Sequence, residues 1–198
     1  AVKVAATDDF LKPFVGKPFN GNMNSSYFRT NKGKSITVQY DTSSPRPYTR
    51  IQLISGTKAC SLKYPLEGRI SHGHEWVSAE EYKALEKQYM PPIVVKLGDI
   101  AKQVGGHGGM DFLMDWRLID CLRNGLPLDE NVYDAALWSS ISPLSEWSVA
   151  HRSTSVDIPD FTCGSYKTNT PVDNTLSKGG NTGIKKIGKK KDDIQLKV

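Results

Sequence analysis

The stretch Gly105–Leu128, GGHGGMDFLMDWRLIDCLRNGLPL, constrains this chain more than any other. Two glycine pairs bracket His107. After them Phe112, Leu113, Trp116 and Ile119 recur at the three- and four-residue spacing that lines one face of a helix. The helix is predicted to start near Met110. Its end is marked by Arg123 in the last turn, by Asn124-Gly125, which can supply a left-handed cap, and by Pro127, which cannot continue a helix. Glycines ahead of a helix permit close backbone approaches that a side chain forbids, so the turn is either a packing device or the wall of a site. It is no phosphate-binding fingerprint, because no strand-like run ends against it and it contains no G-x-G-x-x-G.

A chain of 198 residues with 38% apolar content can build one domain of ordinary size. No run approaches the roughly 18 to 20 apolar residues of a membrane helix. The amino end, AVKVAATDDFLKPF, has no apolar run of signal-peptide length. The expectation is a soluble chain without a membrane span, whether or not a leader was removed. The net charge of +5 is localised: from Gly164 to Val198 eight lysines face three aspartates, which accounts for the whole excess. The remainder offers no basic face for nucleic acid. The Gly-, Asn-, Thr- and Lys-rich stretch 164–198 is expected to be a basic flexible tail beyond a domain at 1–163. Cys60, Cys121 and Cys163 are odd in number and lack C-x-x-C spacing, which argues against a zinc site and a disulfide framework.

Along the chain, residues 1–20 read as an irregular lead-in or the last turn of an element. Asn22–Arg29 and Ser35–Asp41 read as a hairpin across Thr30-Asn31-Lys32-Gly33, with Ile36, Val38 and Tyr40 on one side of the second strand. After the SSPRP loop, Tyr48–Ser55 is predicted as a strand, Ile51 and Leu53 on one face and Tyr48, Arg50 and Gln52 on the other. Lys58–Tyr64 follows as a further strand. Residues 65–77 read as a surface excursion, and His72-Gly73-His74 within it has no partner at metal-ligand spacing except Glu75. Ser78-x-x-Glu81 is a capping box for a helix to about Tyr89, broken by Pro91-Pro92, with an amphipathic piece from Ile93 to Val104 behind it. Asp129 is expected to cap a buried helix carrying Val132, Ala135, Ala136, Leu144 and Trp147, bent or broken near Pro143, and Ser155–Ile158 is a candidate last strand.

Strands first and helices afterwards imply an α+β fold, an open-faced and mostly antiparallel β-sheet with helices on one face. Its other face, with Tyr and Arg beside a proline-stiffened loop, is either plain solvent surface or a sugar-binding one, where an aromatic ring and fork-like donors meet hydroxyls.

Six motifs in order carry a family resemblance: SPRPY at 44–48 with Arg50, KYPLEG at 63–68, GGHGGMDF at 105–112, RLIDCLRNGLPLDENVYDAA at 117–136, PLSEWSVA at 143–150 and IPDF at 158–161. From about Asn20 to Phe161 the chain resembles the carboxy-terminal half of glycoside hydrolase family 109, bacterial NAD-dependent α-N-acetylgalactosaminidase-like enzymes of the Gfo/Idh/MocA oxidoreductase superfamily. The resemblance implies an enzyme with an amino-terminal Rossmann domain that holds NAD and a carboxy-terminal domain that receives the sugar and assembles into homo-oligomers through its sheet. The glycine-rich dinucleotide turn and the family's Y-P-T-H segment have no counterpart in this sequence. The chain alone is therefore expected to be inactive, its NAD domain supplied by a longer protein or by a partner chain. The chemistry implied is redox-assisted: NAD takes a hydride from sugar C3, the C2 proton is acidified, and the glycosidic oxygen leaves by elimination.

By the same resemblance Tyr48 matches a substrate-contacting tyrosine of the S-P-R-P-Y motif. Arg46 and Arg50 would orient hydroxyls or an N-acetyl group, or form structural salt bridges. His107 either belongs to the substrate-binding set or ties the glycine turn through a bond to backbone. Cys163 stands where the family more usually carries Arg. The alternatives are a domain of an NAD(P)-dependent sugar dehydrogenase and a non-catalytic carbohydrate-binding or assembly module. A periplasmic or secreted location follows by family analogy.

Overall fold

The computed structural model describes residues 2–17, 23–41 and 44–184, so the lysines from 185 onward lie outside the described residues. The chain divides into two compact units, one from residues 1–49 and 137–159, the other from 50–136 and 160–198.

In the first unit a short helix α1 (Val2–Thr7) and a 3-10 turn (Lys12–Phe14) precede a hairpin of β1 (Met23–Arg29) and β2 (Ser35–Asp41). The register runs from Met23↔Asp41 to Arg29↔Ser35, as the alternation predicts. Its turn closes through Gly33 N–H to the Thr30 carbonyl (2.8 Å) and Lys34 N–H to Thr30 Oγ1 (3.0 Å). Phe28, Ile36, Val38 and Tyr40 share one face. On that face Ser26 Oγ lies 2.9 Å from Ser145 Oγ of helix α5 (Val132–Ala150), whose residues from Leu137 on belong to this unit.

In the second unit, β3 (Gln52–Ser55), β4 (Ala59–Lys63), β5 (Arg69–His72) and β6 (Glu75–Trp76) form an antiparallel meander in chain order. Helices α2 (Ala79–Tyr89), α3 (Pro92–Val104) and α4 (Met110–Asn124) follow. The α+β class with antiparallel sheets is therefore observed, with the strands divided between two sheets. The register puts Ile54, Ser61 and Ile70 on one face, and these line a cavity of about 330 Å³ together with Leu85 and Tyr89 of α2. Leu53, Leu62, Cys60, Ser71 and Trp76 occupy the opposite face. The core of this unit is the α3–α4 seam, where Leu97, Ala101, Trp116 and Cys121 are buried.

The caps behave as their chemistry dictates. Ser78 accepts the Glu81 N–H at 3.1 Å, Pro92 opens α3, and Gly125 (φ 62) ends α4 with its N–H on the Cys121 and Leu122 carbonyls.

Several expectations are corrected. The strand predicted from Tyr48 begins at Gln52, because β4 stops at Lys63. There Tyr64 turns (φ 63) and donates its N–H to Leu66, so residues before Gln52 have no ladder partner. The predicted excursion at 65–77 contains the β5–β6 hairpin, with Gly73-His74 as its two-residue turn. Asn131 caps α5, not Asp129: its Oδ1 accepts Tyr133 N–H at 2.8 Å, and Asp134 returns the bond to Asn131 N–H at 3.0 Å. Helix α5 carries Pro143 without a break and buries none of its residues, because its apolar side chains are spread around the helix and one packing face cannot cover them. Residues 155–158 form no strand. Ile119 is exposed, whereas Asp120 and Cys121 are buried on the opposite side of α4.

Candidate functional site

The SSPRP segment is organised by the end of β2. Asp41 accepts the Ser44 N–H at 3.0 Å, Arg46 N–H donates to the Ser44 carbonyl at 2.8 Å, and the Arg46 guanidinium pairs with the Asp41 carboxylate while Nη2 lies 3.2 Å from Met23 Sδ. Arg46 thus has the structural ion pair that was one of its two expected roles. The prolines on either side of it limit the backbone, and the segment delivers Tyr48 with 80% of its surface exposed. The phenol does not sit on a strand face, contrary to the alternation argument. Tyr48 and Arg46 belong to the first unit, Arg50 and His107 to the second. Arg50 lies exposed just ahead of β3.

His107 stands in the glycine run with φ 46, and Gly105, Gly106, Gly108 and Gly109 around it also have positive φ. Its Nδ1 lies 2.9 and 3.1 Å from the two carboxylate oxygens of Asp111, in the first turn of α4. A carboxylate accepts, so Nδ1 carries the hydrogen and Nε2 is the nitrogen left for another group. The bond expected to run to backbone runs instead to a side chain one helical turn on.

A second cluster, which the sequence reading missed, lies on α4. The Asp120 carboxylate is fully buried and accepts Gly180 N–H (2.7 Å), Thr182 N–H (3.2 Å), Thr182 Oγ1–H (2.7 Å) and Asn124 Nδ2–H (3.2 Å). Burial by itself would raise the Asp120 pKa, but the hydrogen bonds from Gly180 and Thr182 and the Arg117 charge outweigh it and hold the carboxyl below its ordinary value. Arg117 is pushed up, first by its hydrogen bond to Asp129. Burial raises the Cys121 thiol, with Asp129 and Asp120 adding to it, which keeps this cysteine protonated rather than nucleophilic. The only sequence signal for the cluster was Arg117 and Asp120 three residues apart on a face that also carries Trp116. Among the described residues no group of His, Cys, Asp and Glu could hold a metal ion, and no helix is long and apolar enough to cross a membrane.

Comparison with known proteins gives one consistent picture. The model of a family described as glycosyl hydrolase 109, C-terminal domain, matches residues 15–168. A glycosyl hydrolase family 109 protein of Shewanella amazonensis is 49% identical over 159 residues, which cover 77% of this chain and 34% of that protein. Family 109 protein 1 of Akkermansia muciniphila is 44% identical over 158 residues, covering 77% and 33%. Family 109 protein 2 of Shewanella sp. strain ANA-3 is 46% identical over 161 residues, covering 79% and 35%. The chain spans about a third of the length of these relatives.

Proposed function

The chain belongs to glycosyl hydrolase family 109, and from that premise we propose that it is the sugar-binding and assembly domain of an NAD-dependent glycosidase acting on an N-acetylgalactosamine-like substrate. The observation that carries this reading is the exposed phenol of Tyr48, held out by a loop that the Arg46–Asp41 pair anchors, within the matched region. An exposed tyrosine offers its ring face to the apolar side of a sugar and its hydroxyl to the sugar's own hydroxyls. Within the second unit, taken by itself, Arg50 offers fork-like donors and His107, oriented by Asp111, offers Nε2.

The glycine run before α4 follows helix α3 rather than a strand, so it is not the strand, glycine turn and helix unit that holds a pyrophosphate. NAD, in this reading, is held by protein outside these residues. Assembly with a second copy through the four-stranded sheet is supported by Leu53 and Trp76, 60% and 46% exposed on the face away from α2.

Calorimetry tests the reading. N-acetylgalactosamine should bind the 198-residue chain weakly, in the millimolar range, and Tyr48→Ala should abolish the heat. Absence of binding to the unmodified chain favours a pure assembly role. The chain alone should not hydrolyse an aryl α-N-acetylgalactosaminide, and hydrolysis by it would overturn the proposal.

A further inference from the structure

Past residue 168, where the family match ends, the chain returns along α4. Arg117 Nη2 donates to the Asp173 carbonyl (3.0 Å), Asn124 Nδ2 to Asn181 Oδ1 (3.0 Å) and Trp116 Nε1 to the Thr182 carbonyl (3.1 Å). Lys96 of α3 donates to the Gly180 carbonyl. In the opposite sense Gly180 and Thr182 donate three hydrogen bonds to the one carboxylate of Asp120. Residues 171–184 were expected within a solvated tail. At this end of it they are tied to two helices.

The backbone conformation at the anchor point requires glycine. Gly179 has φ 83, and a Cβ there would stand 2.7 Å from Asp120 Oδ2 and 2.9 Å from Leu126 Cδ1. Gly180 has φ 73 and is itself buried. The Asp173 loop is closed by its own bonds from Thr175 and Ser177.

The geometry points to residues 171–184 being a strap that docks on α4 as a unit, anchored by the buried carboxylate of Asp120, and that opens without unfolding the helix beneath it. Its attachment is made of hydrogen bonds, three of them to the one carboxylate of Asp120 and the others from Arg117, Asn124, Trp116 and Lys96, while residues 171–175, 177 and 178 are exposed. Segments with few buried apolar contacts open at a fraction of the global unfolding free energy. Helix α4, by contrast, buries Trp116 and Cys121 and is capped by Gly125. An open strap uncovers the indole edge of Trp116, the Asp120 carboxylate and Asn124, so its position decides whether this face of α4 is available. The inference does not depend on the sugar-binding reading.

Amide hydrogen exchange on the full chain tests it. The Gly180 and Thr182 amides should be protected, and Asp120→Ala should speed their exchange by about ten-fold or more while the amides of α4 keep their protection. Gly179→Ala, which leaves the carboxylate in place, should produce the same selective loss. Trypsin should cut after the exposed Lys178 faster in both variants than in the parent. Unprotected Gly180 and Thr182 amides in the parent would overturn the strap. So would unchanged exchange in both variants, or loss of α4 protection together with the strap in both.

Discussion

Arg117 holds Asp129 with two donors of its guanidinium: Nε and Nη2 each reach the carboxylate at 2.9 Å. The pair joins the middle of α4 to the segment that leads into α5. Arg117 is buried, and its Nη1 has no hydrogen-bond partner among the described residues, with Asp120 Oδ2 3.8 Å away. Asp129→Ala therefore strips a buried cation of its main partner. The Asp129 side chain is itself 41% exposed, so water takes over part of the lost interaction. A loss of about 1–3 kcal/mol in urea denaturation is expected, and an unchanged midpoint would contradict the assignment.

Acid should act through Asp120. A carboxyl whose folded pKa lies below its unfolded value stabilises the fold above that unfolded value, about 3.9, and the contribution is lost as pH falls through the folded value. Asp120 is lowered in this way. Asp173, held at about 2 chiefly by hydrogen bonds from Ser177 and Thr175, loses its share in the same acid window whether or not Asp120 is present. Asp120→Asn should thus be less stable than the parent at neutral pH, with the gap closing as pH falls below about 4. A gap constant with pH would show that the charge on Asp120 contributes nothing.

The glycine run makes a graded prediction. At Gly108 (φ 72) a Cβ meets open space, so Gly108→Ala bears only the left-handed penalty, about 1–2 kcal/mol. At Gly109 (φ 101) a Cβ would stand 2.6 Å from the carbonyl carbon of Ala101 and 2.8 Å from its oxygen, both backbone atoms of α3. Gly109→Ala should lose a further ~1–3 kcal/mol, because α3 and α4 must move apart. Equal midpoints for the two variants would mean that the α3–α4 seam accommodates the added methyl.

Tyr48 separates binding from folding. With most of its surface in solvent, Tyr48→Ala should shift stability by about 0.5 kcal/mol, yet remove the heat of sugar binding. A variant that binds normally would take Tyr48 out of the site.

Cap replacement checks the corrected start of α5. Asn131→Ala should cost about 1 kcal/mol, since Asn131 receives the Tyr133 N–H. Asp129→Asn, which leaves that cap intact, should not reduce α5 helicity by circular dichroism.

Much of the local structure was readable because its causes are local. The β1–β2 register follows from side-chain alternation and the Thr30–Gly33 turn, and the ends of α2 and α4 follow from Ser78 and Gly125. The site was readable only in part. SPRPY marked the loop that carries Tyr48, but its exposure depends on Asp41 gripping Arg46, and the strand it was assigned to lacks a partner there. For α5 the apolar content was plain. Whether any of it is covered is a matter of neighbours, and none of its residues is buried.

The sequence by itself determined the start of α2, the end of α4 and the β1–β2 turn, since a cap or a positive-φ glycine acts on atoms a few bonds away. Only the tertiary structure decided that Asp120, in a helix patterned for apolar packing, faces Gly180 and Thr182 some sixty residues further on. Periodicity reports which side of a helix is buried against something. It carries no record of which distant backbone amides arrive to satisfy a carboxylate placed there, and a buried charge persists only when they do.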